Sequence, residues 1–169
     1  MYQIYADGAC QPNPGECGSG VVVYKDGQLV RLFYGNYRPM ATNNVAELVA
    51  LEYGIKLAIK AVQHGESKVE LFSDSQYAIK CMIEWIDGWL KSDWKKGKVK
   101  NQDIIKPMYE MFKPYKDNIS IRHVYGHSGI EGNELADRMA VEAVRVKQVE
   151  FISFGMHLSI PEILAMKSY

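Results

Sequence analysis

The sequence predicts an α/β domain with a five-stranded mixed sheet flanked by helices, in the order βββαβαβα, on three observations. Three strand-like runs, at 2–7, 19–25 and 29–36, follow one another, and "KDGQ" at 25–28 carries the Asp-Gly signal of a tight hairpin. The period then changes: Val45, Leu48, Val49, Leu51, Ile55, Ala58, Ile59 and Val62 recur mostly at three- and four-residue intervals, as on one face of a helix that stops near Gly65. Beyond it strands and helices alternate, as they do where parallel strands are joined by helical crossovers.

Taken in order, the chain opens on "YQIYADGAC", where Asp7 stands at the end of the apolar run. The Gly/Pro-rich stretch "QPNPGECGSG" (11–20) reads as a loop. After the first helix, a short strand at 69–73 repeats the opening pattern, with Asp74 closing its apolar run in "ELFSDSQ". A helix is expected over about 75–91, and a lysine-rich connector leads to another at about 101–113, closed by Pro114. "NISIRHV" (118–124) is a strand, and "NELADRMAVEAVRV" (133–146) is the last helix of the pattern. Residues 147–169 form an extension apolar enough to pack on the domain, and "SIPEIL" within it suits a short helix starting at Ser159, with Pro161 in its first turn.

Composition narrows the function classes. A chain of 169 residues, 47% hydrophobic and 24% charged, is most simply one globular domain. Its formal net charge of zero gives no global basic field, so a nucleic-acid partner would have to be held by a local patch. Cys10, Cys17 and Cys81 are too few and scattered for a disulfide framework or a zinc site, and are expected as reduced thiols of a cytoplasmic protein. The chain enters a strand at once, without a charged-then-apolar leader, and no apolar run reaches the roughly 18 residues of a membrane span.

Asp7, Glu47, Asp74 and Asp137 stand at element ends or edges, and each has a local explanation. Asp7 suits an Asx-turn before Gly8, and Glu47 lies at capping-box spacing from Asn44. Asp74 suits a cap on the helix starting at Ser75, and Asp137 an exposed helix charge. Together they suggest something else. If the first and fourth strands are adjacent and parallel, Asp7 and Asp74 sit side by side at the carboxyl edge, where open α/β sheets bind ligands. Clustered carboxylates repel, and a divalent cation relieves the repulsion; an all-oxygen donor set favours Mg²⁺ or Mn²⁺ over zinc.

Four segments, "YADGAC", "ATNNVAELVAL", "LFSDSQYAIK" and "VYGHSGIEGNELADRMA", strongly resemble type 1 ribonuclease H, over residues 1 to about 146 in order and without large gaps. The resemblance implies a ribonuclease H-like catalytic domain over 1–146. It implies an endonuclease that cuts the RNA strand of RNA–DNA hybrids to leave 5′-phosphate and 3′-hydroxyl ends. It places a metal-binding tetrad on Asp7, Glu47, Asp74 and Asp137, holding two Mg²⁺ ions (Mn²⁺ a possible substitute) about 3.5–4 Å apart. His127, in "GHSGIEGN", matches a mobile histidine that aids proton movement or product release.

The same resemblance carries substrate contacts. Cys10, Asn13, Asn43 and Gln76 match positions that contact the minor groove, with Asn44 on the DNA side, and Thr42 and Asn101 match a pocket for a DNA phosphate. Amides suit the reading of 2′-hydroxyls because they donate and accept at once. "WIDGWLKSDWKKGKVKN" (85–101) supplies the local patch. There Trp85, Trp89 and Trp94 interleave with Lys91, Lys95, Lys96, Lys98 and Lys100, resembling the family's basic protrusion. As the end of an amphipathic helix, the first two tryptophans also suit a core. A monomer acting on hybrid duplex, without a membrane, is expected. The competing readings are a catalytically inactive binding module on the same fold, another nuclease of the superfamily such as a junction resolvase, and a domain of a reverse transcriptase.

Overall fold

A computed structural model of the chain describes residues 1–169. β1 (Tyr2–Gln11), β2 (Gly15–Lys25) and β3 (Gln28–Ala41) form an antiparallel meander, and Asp26 and Gly27, both at positive φ, turn the tight hairpin between the last two. Helix α1 (Asn43–Gln63) carries the chain back to β4 (Val69–Ser73), which joins the free edge of β1 in parallel, and β5 (Ile119–His123) adds to β4 in the same sense. Between those two strands come α2 (Gln76–Ile83), α3 (Ile86–Lys91), α4 (Asp93–Gly97) and α5 (Gln102–Phe112). After β5 come α6 (Glu131–Val146), the two-residue β6 (Ile152–Ser153) and α7 (Ile160–Leu164). The sheet order is β5-β4-β1-β2-β3-β6. Six strands replace the expected five because the extension adds β6 to the outer edge of β3.

Alternation along the strands sorts side chains onto two faces. Ile4, Ala6, Val21 and Val23 face the larger core with α1, α2, α3 and α5, whereas Val22, Tyr24 and Leu32 face Leu135, Ala136 and Met139 of α6. The extension seals this second layer: Phe154 and Ile163 are buried in it, with Leu158, Leu164 and Met166 partly so. None of the helices is long and apolar enough to cross a membrane.

Four local expectations are corrected. Residues 15–20, read as loop, belong to β2. The helix expected over 75–91 is two, parted at Glu84, whose backbone leaves the helical region (φ −122°, ψ −60°). The connector that follows contains α4, in which Asp93, Trp94, Lys95 and Lys96 hold φ between 50° and 57° and wind left-handed, a conformation costing roughly 1–2 kcal/mol per non-glycine residue. Cys10 and Cys17 are not free thiols but a disulfide: the β1–β2 register sets them directly opposite one another, with Cα atoms 4.1 Å apart. Cys81 alone is free, and it is buried.

Two glycines set how closely the helices approach. A Cβ on Gly8 would overlap the backbone of Ala46 and Glu47, so the first turns of α1 lie directly on β1. A Cβ on Gly20 would likewise overlap the Ala136 carbonyl and Met139 of α6. Gly8→Ala should therefore lift α1 and cost about 1–3 kcal/mol, read as a Tm fall of several degrees. Gly88→Ala, where an added Cβ meets nothing within 4 Å, should leave stability equal or raise it by up to about 1 kcal/mol, and paired thermal melts check both.

Candidate metal centre

The β1–β4 pairing ends at Ala6 opposite Ser73, so the next residue on each strand, Asp7 and Asp74, leaves the ladder at the same level. Across the other edge of β1, Asp7 stands opposite Gly20, the glycine on which α6 rests beside Ala136. Its neighbour Gly8 is the one on which α1 rests beside Glu47. The two close helix contacts thus bring Glu47 and Asp137 to the strand that carries Asp7. One carboxylate oxygen from each of Asp7, Glu47 and Asp74 lies within 4.8 Å of the others. Asp137 lines the same cleft, of about 370 Å³.

The local explanations for these acids fail one by one. Asp7 is no turn residue, because β1 runs on through Gln11. Helix α1 is capped by Thr42, whose hydroxyl accepts from Val45 N, so neither Glu47 nor Asn44 is spent on a capping box. Helix α2 is capped by Ser75, whose hydroxyl accepts from Ala78 N, so Asp74 is free of that task. Asp137 is only 6% exposed and is no solvated surface charge.

The arrangement is electrostatically costly. Two like charges 4–5 Å apart at an effective dielectric near 20 repel by about 3–4 kcal/mol. Burial, then the charges of Glu47 and Asp74, push the Asp7 carboxyl well above the usual carboxylate range. Burial and the charge of Asp74 push Glu47 up to about 8. Glu47 also keeps a buried oxygen, Oε2, with no hydrogen-bond partner. A buried orphan acceptor among mutually repelling carboxylates fits a divalent cation, whose charge removes the repulsion and whose coordination uses the lone pair.

The other expected site residues fall into three groups. His127 is exposed on the cleft rim, its backbone in the left-handed region (φ 53°), and Cys10, Asn43 and Asn44 line the same cleft. Asn13 accepts from Asn43 N at 3.0 Å and ties the β1–β2 loop to the start of α1, while Gln76 is exposed at the start of α2. Asn101 (donating to the Tyr77 hydroxyl at 3.0 Å) lines a second pocket with Asn44, Lys95, Lys98 and Lys100. Thr42 is not among its walls; its hydroxyl accepts from Val45 N at the start of α1.

The tryptophans divide as well. Trp89 and Trp94, 9% and 8% exposed, belong to the main core, although Trp89 also lines the pocket of Asn101, Lys95, Lys98 and Lys100; Trp85, 36% exposed, stays at the surface. The Trp89 ring lies between those of Trp85 and Trp94, tilted to each, with centroids 5.8 and 5.7 Å away. Lys91, Lys95 and Lys96 remain exposed on the protrusion these rings support.

Sequence reasoning missed Asn133, Arg138, Ser168 and Tyr169. Asn133 donates to Asp74 Oδ2 at 3.4 Å and is buried with its own Oδ1 unpartnered. Its four-residue spacing from Asp137 on one helix face was a usable signal. Nothing local could have brought Ser168 and Tyr169 to the cleft from the chain's far end.

The raised carboxyl of Glu47 gives a signed prediction. With its folded value near 8 and the usual value at 4.5, its protonation favours the fold. That contribution is complete below about pH 4.5 and is lost as pH rises towards 8. Metal-free protein should therefore lose stability across that window. Added Mg²⁺, at about a hundred times its Kd, should raise Tm by about 5–10 °C at pH 8 and much less at pH 5, as measured by calorimetry.

Comparison with known proteins places this geometry. The RNase H family profile matches residues 1–145. A Ribonuclease H of Polynucleobacter asymbioticus is 40% identical over 144 residues, covering 83% of this chain and 88% of that protein. One of Nitrosomonas eutropha is 38% identical over 169 residues, covering 88% and 94%. Among solved structures, LC9-RNase H1, a type 1 RNase H with the type 2 active-site motif, matches with a TM-score of 0.71 at 25% identity, covering 97% of this chain and 80% of that one. On the extent of these matches, the chain belongs to the ribonuclease H family.

Proposed function

We propose that the chain is a divalent-metal-dependent endonuclease that hydrolyses the RNA strand of RNA–DNA hybrids, leaving 5′-phosphate and 3′-hydroxyl ends. The observation that carries this reading is the set of three carboxylates within 4.8 Å, one with a buried unpartnered oxygen, in a chain whose curated relatives bear the name Ribonuclease H. Asp7, Glu47, Asp74 and Asp137 are the residues that would hold Mg²⁺, with Mn²⁺ as a substitute. Bound cations supply charge compensation and Lewis-acid polarisation of a phosphate oxygen.

The chain's own residues do the remaining work. Asp7, on β1, would hold metal together with Glu47 and Asp74, whose carboxylate oxygens lie within 4.8 Å of its own. His127, exposed on a loop between Gly126 and Gly129, can reach the cleft and leave it, which suits a group that carries a proton to or from the scissile phosphate. Asn43, Asn44 and Gln76 present amides that can donate to and accept from 2′-hydroxyls, which an all-DNA duplex lacks. Cys10, held in its disulfide, contributes backbone and sulfur surface rather than a thiol. The lysines of the protrusion engage phosphates without reading sequence. An inactive binding module would need a broken carboxylate set, and all four acids are present.

Three outcomes test this. Only RNA–DNA hybrid, compared with RNA–RNA and DNA–DNA duplexes carrying a label on each strand, should be cut, in its RNA strand and only with divalent metal. Asp7→Asn should lower cleavage by more than the roughly 10–100-fold typical of losing an outer-shell partner, while hybrid binding persists in a gel-shift assay. Replacing Lys95 and Lys96 by Ala should weaken binding and flatten the slope of log affinity against log salt by about 1–2, from fluorescence titrations at several salt concentrations.

A further inference from the structure

We propose that the C-terminal extension is a working part of the metal centre, in which Ser168, with Arg138, is a positioning residue for the carboxylate of Asp137. The inference rests on the metal-dependent reading above. The Ser168 hydroxyl donates to Asp137 Oδ2 at 2.7 Å, and Arg138 Nη1 donates to the same oxygen at 2.9 Å. Both donors meet one oxygen, leaving Oδ1 without a protein donor and available to a cation.

The contact is built rather than incidental. Helix α7 starts on a capping box formed by Ser159 and Glu162, and its Ile163 is fully buried in the layer that contains Leu135 and Met139 of α6. Arg138 is itself fixed from three sides: Nε donates to the Leu164 carbonyl at 3.2 Å, and Nη1 reaches both Glu134 Oε2 and Asp137 Oδ2 at 2.9 Å. The chain leaving α7 is thus anchored to the residue next to Asp137 before it delivers Ser168 to the carboxylate, 31 residues away in sequence. Tyr169 then lines the cleft beside Asp7 and Asp137.

Asp137 differs from the other three acids in needing this support. Asp7, Glu47 and Asp74 already lie within 4.8 Å of one another, whereas Asp137, on α6, lines the same cleft outside that group. A carboxylate that must turn to meet a cation loses rotational freedom on binding; one pinned through its second oxygen has lost it beforehand. Ser168 and Arg138 therefore favour metal binding by holding the fourth ligand in place, without touching the cation or substrate.

The test compares Ser168→Ala and Ser168→Thr with the unmodified chain, using Mn²⁺ as the probe. Direct Mn²⁺ binding is measured by electron paramagnetic resonance, the Mg²⁺ concentration for half-maximal cleavage by titration, and metal-free Tm by calorimetry. Ser168→Ala should weaken Mn²⁺ binding about 10-fold and raise the Mg²⁺ midpoint comparably, with metal-free Tm within about 2 °C of the unmodified chain. Ser168→Thr, which keeps the hydroxyl, should restore both. Unchanged or tighter Mn²⁺ binding in Ser168→Ala would overturn the inference, the latter by showing that the tail restrains Asp137 from the cation. A loss that Thr fails to restore would overturn it too. Absence of Mn²⁺ binding by the unmodified chain would instead sink the metal-dependent function itself.

Discussion

Close approach of two helices to the paired strands β1 and β2 creates the electrostatic problem around which the rest of the molecule is arranged. Gly8 lets α1 settle on β1, and Gly20, opposite Asp7, lets α6 settle on β2. Packing energy from the two cores fixes these contacts, so the carboxylates that ride on them have nowhere to retreat. A fold that forces acids together needs either protons or cations to hold them. The raised values of Asp7 and Glu47 describe the first state, and the unpartnered Glu47 oxygen marks room for the second.

Around that centre the surface divides into regions with different tasks. The cleft rim presents amides and His127, and the protrusion presents lysines in an adjoining pocket that shares Asn44 with the cleft. Trp89 and Trp94 form the floor of the protrusion, which lets Lys95 and Lys96 stay exposed on a left-handed turn. Strained backbone of this kind persists only where its surroundings over-determine it, and the buried Trp94 ring, tilted against Trp89 and covered by the Lys106 ammonium, supplies that surrounding. The neutral total charge therefore conceals a local basic surface and a local acidic one.

Much of this was legible before any coordinates, for identifiable reasons. The repeated pattern of an apolar run closed by Asp, at Asp7 and Asp74, raised the question of whether the two strands are parallel neighbours, and the register shows that they are, with both acids leaving the ladder together. The helical period from Val45 to Val62 located α1 because eight of its residues are buried on one face. What escaped was non-local. β2 begins at Gly15 rather than 19, since Gly15, Gly18 and Gly20 weaken its strand signal while making room for the pieces packed on them. The Cys10–Cys17 pairing depends on cross-strand register. β6 is two exposed residues with no alternation to detect, and the Ser168 contact joins parts of the chain that local pattern cannot relate.

The most direct measurement of the central claim is anomalous diffraction from crystals grown with Mn²⁺ and a hybrid carrying an uncleavable linkage. The account predicts anomalous density in the cleft, within coordination distance of the Asp7, Glu47, Asp74 and Asp137 carboxylates. Peaks elsewhere, or an empty cleft with the hybrid bound, would contradict it.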